Sequence, residues 1–181
     1  MSEGEDLLRI CTYPNAVLRE RAEDILEIDD RVRELAGRMA ATMHANRGVG
    51  LAGPQVGVGK RIVVVNPTGE PEDEKVLINP AVVSSRGQIE GPEGCLSVPG
   101  VAGDVRRNSR VEVVAYDLEG AELEITASDF FGRVLQHEID HLDGMLITDR
   151  MTPESRINAR EVLRVLEEND GHLPEGFLEE E

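Results

Sequence analysis

His137 and His141 lie four positions apart in the run Gln136-His137-Glu138-Ile139-Asp140-His141. On an α-helix that spacing stacks the two imidazoles one turn apart on one face, so both can reach one metal ion. Glu138 projects from nearly the same side, close enough to exchange a proton with a water at that metal. Two ligands and a base at this spacing point to hydrolysis at neutral pH. By itself the motif leaves metal, substrate and fold open. It is also one protein ligand short, because catalytic zinc-type centres take three and keep a fourth position for water. Downstream the remaining histidine is His172, in a Gly/Pro-containing tail, and acidic residues are too common there to single one out. Upstream, Cys95 stands in Glu90-Gly91-Pro92-Glu93-Gly94-Cys95-Leu96-Ser97-Val98-Pro99-Gly100, too rich in glycine and proline for a helix. Glycine lets a backbone approach a ligand closely, and a thiolate is a strong donor to a borderline-soft divalent ion. Cys95 could equally be a small buried hydrophobe.

These residues need elements to position them. Thr126-Ala127-Ser128-Asp129 has the form of a capping box ahead of the histidine helix, and Gly144 is placed to end it in the left-handed cap position. Phe130, Val134, His137 and His141 share one face of that helix, which turns the histidines toward the apolar interior. Val32 to Ala45 carries apolar residues at helical spacing, with Asp29 or Asp30 to cap its start and Gly48 closing the segment. Gly48, Gly50, Gly53 and Gly57 surround Leu51-Ala52 and Pro54-Gln55, which reads as a tight loop. Strand-like runs follow at Arg61 to Val65 and Lys75 to Ile78, and at Arg110 to Tyr116 and Ala121 to Thr126 around an Asp117-Leu118-Glu119-Gly120 turn. A final helix starts at Thr152-Pro153-Glu154 and runs to about Asn169. Helices that begin and end an otherwise β-rich chain predict an α+β fold.

With 181 residues the chain reads as one domain with a real core, residues 1–181, whose acidic ends, 1–6 and 172–181, are flexible. Its 3% aromatic content leaves aliphatic side chains to fill that core. The net charge of −17 argues against broad nucleic-acid contact, which needs a basic face. The Met1 to Asp6 segment has neither a basic nor an apolar export region, and no apolar run approaches the ~20 residues of a membrane span. The expected setting is therefore the cytoplasm, with no membrane partner and with Cys11 and Cys95 reduced.

The chain resembles the peptide deformylases through three motifs in that family's order: Gly48-Val49-Gly50-Leu51-Ala52-Gly53-Pro54-Gln55, Glu93-Gly94-Cys95-Leu96-Ser97 and Gln136-His137-Glu138-Ile139-Asp140-His141-Leu142. The third motif alone is shared with many metalloproteases, whereas the three together are highly specific. The resemblance implies mostly antiparallel sheets around a central metal-binding helix, with an N-terminal and a C-terminal helix. It implies removal of the N-formyl group from the initiator methionine of new polypeptides, releasing formate. Cys95, His137 and His141 would bind one divalent ion, with ferrous iron as the native metal and zinc or nickel able to replace it. Glu138 would take a proton from the attacking water and deliver it to the leaving amine, while the Gln55 amide and the Leu96 N–H hold the oxyanion. Gly48, Val49, Gly50 and Leu96 would lie along the formylmethionyl peptide, and Val134 would contribute to the methionine pocket. Some relatives dock at the ribosomal exit through a basic C-terminal helix. Here Arg156, Arg160 and Arg164 form an arginine stripe that Glu154, Glu161, Glu167 and Glu168 balance, and it reads as a solvated face. Gly53 stands where the family usually has alanine, and reads as a tolerated loss of one methyl. Asp140 and Gln136 read as groups that support the ligands, and Arg107 and Arg133 could pair with Glu93 or with the peptide substrate. Two competing readings are an unrelated metalloprotease with a downstream carboxylate ligand and a catalytically silent relative that binds nascent chains.

Overall fold

A computed structural model describes residues 7–178; the acidic segments 1–6 and 179–181 lie outside the described residues. The four strand-like runs all join one antiparallel sheet, and a second antiparallel pair of strands stands apart from it. The larger has the order β1-β2-β3-β6-β7, from β1 (Gly50–Ala52), β2 (Ile62–Val65), β3 (Lys75–Arg86), β6 (Arg110–Tyr116) and β7 (Glu122–Ser128). The smaller pairs β4 (Ile89–Gly94) with β5 (Ala102–Arg107). Helix α1 spans Asp30–Ala45, α2 Asp129–Leu142, α3 Ile147–Arg150, α4 Pro153–Asn158 and α5 Arg160–Glu168. The arrangement is the expected α+β one.

Strand β2 reads Ile62-Val63-Val64-Val65 with no polar alternation because both its faces are covered. On one side Ala36, Met39 and Met43 of α1 pack with Leu51, Ile62, Val64 and Ile78. On the other, Val134, Leu135, Ile139 and Leu142 of α2 pack with Ala52, Val63, Val65, Leu77 and Val113. Asp29 caps α1 as expected, accepting a hydrogen bond from the Val32 N–H. Strand β3 runs well past Ile78. Asn79 and Pro80 fall in a register shift between Ile78 and Ala81, a bulge that lets the ladder continue beyond a proline. Sequence patterning missed the β4–β5 ribbon, since Gly91, Pro92 and Gly94 erase its alternation.

Helix α2 begins differently from the expected capping box. Ser128 makes no side-chain cap to the helix; it is still paired with Arg110 in the sheet, and its hydroxyl donates to Asp129 Oδ2. Asp129 takes a positive φ of 52°, turning the chain directly from strand into helix. Gly144 follows the helix in the left-handed conformation, as read from the sequence. Phe130, expected on the interior face, is 53% exposed, because the first turn of α2 projects past the core to the mouth of a cleft.

The last helix is two segments that meet at Ala159, across which the bonds from Ala159 N to Ser155 O and from Leu163 N to Ala159 O continue the helical ladder. Arg164 of its stripe pairs with Glu168 at 2.7 Å, and Arg156 donates to the Asp149 carbonyl. A third cluster joins Leu166 to Val98, Val101, Val105 and Ile147, with Cys95 at its edge. Leu173, in the C-terminal tail, also packs at the edge of this cluster. A Cβ at Gly100 would lie 2.6 Å from Leu173 Cδ1, so the tail leans directly on the Val98–Val101 segment. Among the described residues no helix is long and apolar enough to cross a membrane.

Candidate metal centre and active site

The two sheets bring Cys95, which follows the end of β4, to the α2 face that carries His137 and His141. The three donor atoms all lie within 4.8 Å of one another. Cys95 Sγ is 3.2 Å from His141 Nε2, and the two histidine Nε2 atoms are 3.2 Å apart. A tetrahedral ion with bonds of about 2.0–2.1 Å to nitrogen and 2.3 Å to sulfur places such donors about 3.3–3.6 Å apart, near the two 3.2 Å separations, so the trio could share one ion. The donor chemistry fits as well. His137 Nδ1 lies 2.9 Å from Glu93 Oε2, and since a carboxylate only accepts, Nδ1 carries a proton. Burial works against a charged ring, but the hydrogen bonds to Cys95 and Glu93 outweigh it and hold His137 well above the ordinary imidazole range, so an ion would take Nε2 by displacing its proton. Burial, reinforced by His137, holds His141 well below the ordinary imidazole range and so neutral, the form a metal requires.

Glu93 is the hub of the polar groups behind the ligands. Arg107 contacts it with two nitrogens at 2.9 Å each, and Arg133 Nη1 approaches Oε1 at 2.9 Å. Burial alone would raise the Glu93 carboxyl, but hydrogen bonds from His137 and Arg107 and the guanidinium charge outweigh it and hold it at about 2. Arg107 also bonds Asp140, which Arg150 contacts from the other side at 3.0 Å. Asp140 thus supports Arg107, and the carboxylate that orients a histidine is Glu93. Gln136 grips Asn108, accepting from its N–H at 2.9 Å and donating to its carbonyl at 3.0 Å, which ties α2 to the turn between β5 and β6.

Glu138 is buried beside the trio, and its Oε2 has no hydrogen-bond partner among the described residues. Burial pushes its carboxyl up to about 7, against the pull of His137. It has room because residue 50 is glycine: a Cβ there would lie 2.7 Å from both Cγ and Cδ of Glu138, and closer still to Oε1. Gln55 is held from its carbonyl end, Oε1 accepting from the Ala52 N–H at 2.8 Å. That fixes the amide so that Nε2 faces Ser97 Oγ at 3.3 Å and Cys95 Sγ at 3.6 Å. Among the described residues no group accepts from the Leu96 N–H. Gly48, Val49, Gly50, Gln55, Leu96, Val134 and Glu138 all line one cleft of about 690 Å³.

The family model for polypeptide deformylase matches residues 7–157 of this chain. The chain belongs to that family. It is 47% identical to the peptide deformylase of Symbiobacterium thermophilum over 81% of this chain and 67% of that protein. It is 45% identical to the one from Thermodesulfovibrio yellowstonii over 83% of this chain and 92% of the relative. The crystal structure of a peptide deformylase from Legionella pneumophila superposes with a TM-score of 0.84 at 39% identity, covering 93% of this chain and 99% of that one.

Two features of this deformylase chain correct or extend the sequence reading. Gly53 is not a neutral loss of a methyl, because a Cβ there would lie 2.5 Å from the Lys60 carbonyl oxygen and 2.8 Å from that of Val58. The backbone of residues 58–60 occupies the space where an alanine side chain would sit. Ser97 was missed altogether as the partner of Gln55. Its position two residues after Cys95 in the second motif was the one available sign.

Proposed function

We propose that this protein removes the N-formyl group from formylmethionine at the start of newly made polypeptides, releasing formate. The observation that carries the reading is the convergence of Cys95 Sγ, His137 Nε2 and His141 Nε2 within 4.8 Å, beside a buried Glu138 oxygen that has no partner among the described residues. Cys95, His137 and His141 would hold one divalent ion. Such an ion supplies Lewis acidity, lowering the pKa of water toward neutrality and polarising the formyl carbonyl.

The chain's own residues do the rest. Glu138 takes the proton of the attacking water at its free oxygen and passes it to the amine nitrogen as the C–N bond breaks. Burial raises its carboxyl above the ordinary range, which favours taking up the proton that it then returns to the amine. Gln55 Nε2 and the Leu96 N–H donate to the developing oxyanion, each contributing about 3 kcal/mol. The backbone at Gly48, Val49 and Gly50 pairs with the extended peptide. The methionine side chain enters the apolar part of the cleft, where Val134 is 5% exposed and which Leu96 also lines. One thiolate and two imidazoles suit ferrous iron, the metal the resemblance points to, and also zinc or nickel. The reading treats the chain as one catalytic unit acting in the cytoplasm, where nascent chains are made. Docking on the ribosome through the arginine stripe draws little support, since Arg164 is paired with Glu168 and Arg156 with the Asp149 carbonyl.

The test is formate release from a short formyl-Met peptide by anaerobically purified protein, with metal content measured in parallel. Wild type should release formate, and Glu138→Ala should keep its metal while losing about 10²–10⁴ in kcat. Metal-loaded wild type that yields no formate overturns the proposal.

A further inference from the structure

Helix α1 ends in a way that places an unpaired cation at the cleft. After the C-cap residue Asn46, the Gly48 N–H donates to Met43 O and the Arg47 N–H to His44 O, both at 2.9 Å. These are the two bonds of a Schellman motif, in which the residue after the C-cap adopts the left-handed conformation and is usually glycine. Here it is Arg47, with φ 54°. The backbone therefore works against any side chain at this position, and the one present is long, exposed and charged. Its guanidinium has no hydrogen-bond or ion-pair partner among the described residues. Arg47 lines the same cleft as Gly48, Val49 and Gly50. A residue kept in a disfavoured conformation with no internal partner points toward a ligand.

Its place along the cleft says which part of a ligand. Gly50 marks the reacting end, because it lies directly against Glu138. Arg47 is three residues back along the chain, at most about 10 Å away. A peptide whose formyl group reaches Glu138 and whose backbone runs past Gly50 toward Gly48 advances at a similar rise per residue. It brings the side chains that follow its methionine to Arg47. Of the other charged groups lining the cleft, Arg133 pairs with Glu93 at 2.9 Å, and Glu138 is buried at the reacting end. The whole chain carries a net charge of −17, a field that disfavours acidic substrates. At physiological salt, where screening acts over about 8 Å, a cation in contact with the peptide outweighs that distant charge.

We propose that Arg47 sets substrate preference, favouring formyl-Met chains with acidic side chains at the two positions after the methionine; this rests on the deformylase reading above. The experiment compares kcat/KM for formyl-Met-Glu-Glu-amide, formyl-Met-Gln-Gln-amide and formyl-Met-Lys-Lys-amide, the amides removing the terminal carboxylate as a rival anion. Wild type should prefer the glutamate peptide over the lysine peptide by about 2- to 10-fold at low salt, the range of exposed ion pairs acting on both peptides. That preference should collapse toward one near ~0.5 M salt. Arg47→Gly, which relaxes the backbone, should abolish the preference, and Arg47→Glu should reverse it. Formate release at the same peptide ratio in all three proteins overturns the role of Arg47 and leaves the deformylase reading standing. No formate from any peptide overturns both.

Discussion

If Glu138 is the base proposed above, Gly50→Ala should disable it while leaving metal content unchanged. The new Cβ would stand 2.7 Å from Cγ and Cδ of Glu138, where ordinary contact begins at 3.4 Å. One side must retreat by about 0.7 Å, a difference of those two distances. Strand β1 is poorly placed to yield, since Gly50 pairs with Val65 in the ladder and is buried beneath the cleft. Glu138 is the part that shifts. Displacing a reacting group by about 1 Å costs on the order of 10²-fold, so kcat should fall by about that factor, or about 2.7 kcal/mol of barrier. None of Cys95, His137 or His141 is among the atoms nearest to the new methyl, so metal content should stay at the wild-type level. Gly50 has no positive φ, so alanine brings no backbone strain to confuse the result. The assay is formate release from a formyl-Met peptide, with kcat and KM separated and metal measured on the same preparation. A double-mutant cycle separates a displaced base from a blocked peptide. Adding Gly50→Ala to Glu138→Ala should cost almost nothing further if the methyl acts through Glu138. A single mutant within threefold of wild type in kcat, a matching loss of metal, or a further large loss in the double mutant would each refute this account.

Two other substitutions test the supports of the site. Gly53→Ala forces a methyl against the backbone oxygens of Lys60 and Val58, and overpacking of that kind should cost about 1–3 kcal/mol, seen as a Tm lowered by about 2–12 °C. A Tm equal to wild type would mean that the 58–60 segment moves aside freely. Arg107→Met leaves Glu93 and Asp140 buried without their shared guanidinium, which should destabilise by about 3–5 kcal/mol and lower Tm by about 6–20 °C in calorimetry. An unchanged Tm would show that Arg133 and His137 suffice to hold Glu93.

The sequence was most legible where chemistry depends on local spacing. His137, Glu138 and His141 are set by one turn of helix, and an amphipathic pattern is enough to place them together on one face. The cap of α1 at Asp29 and the left-handed Gly144 were readable for the same reason, each depending on residues within one turn. The β4–β5 ribbon was not, because its glycines and Pro92 are tolerated only through pairing with a strand that begins at Ala102. The start of α2 misled for a related reason: Ser128 has the composition of a cap, but its place in the β6–β7 ladder decided its conformation.

Residue types and spacing thus determined a helix face suited to holding an ion, the α+β class and, through three motifs together, the family. Only tertiary structure decided that Glu93 rather than Asp140 orients His137, that Gly50 exists to make room for Glu138, and that Leu173 supports the cleft wall at Gly100. Each of those is a contact between segments far apart in the chain. Such contacts are chosen by packing and by the cost of leaving buried charge unpaired, and neither is written in the spacing of neighbouring residues.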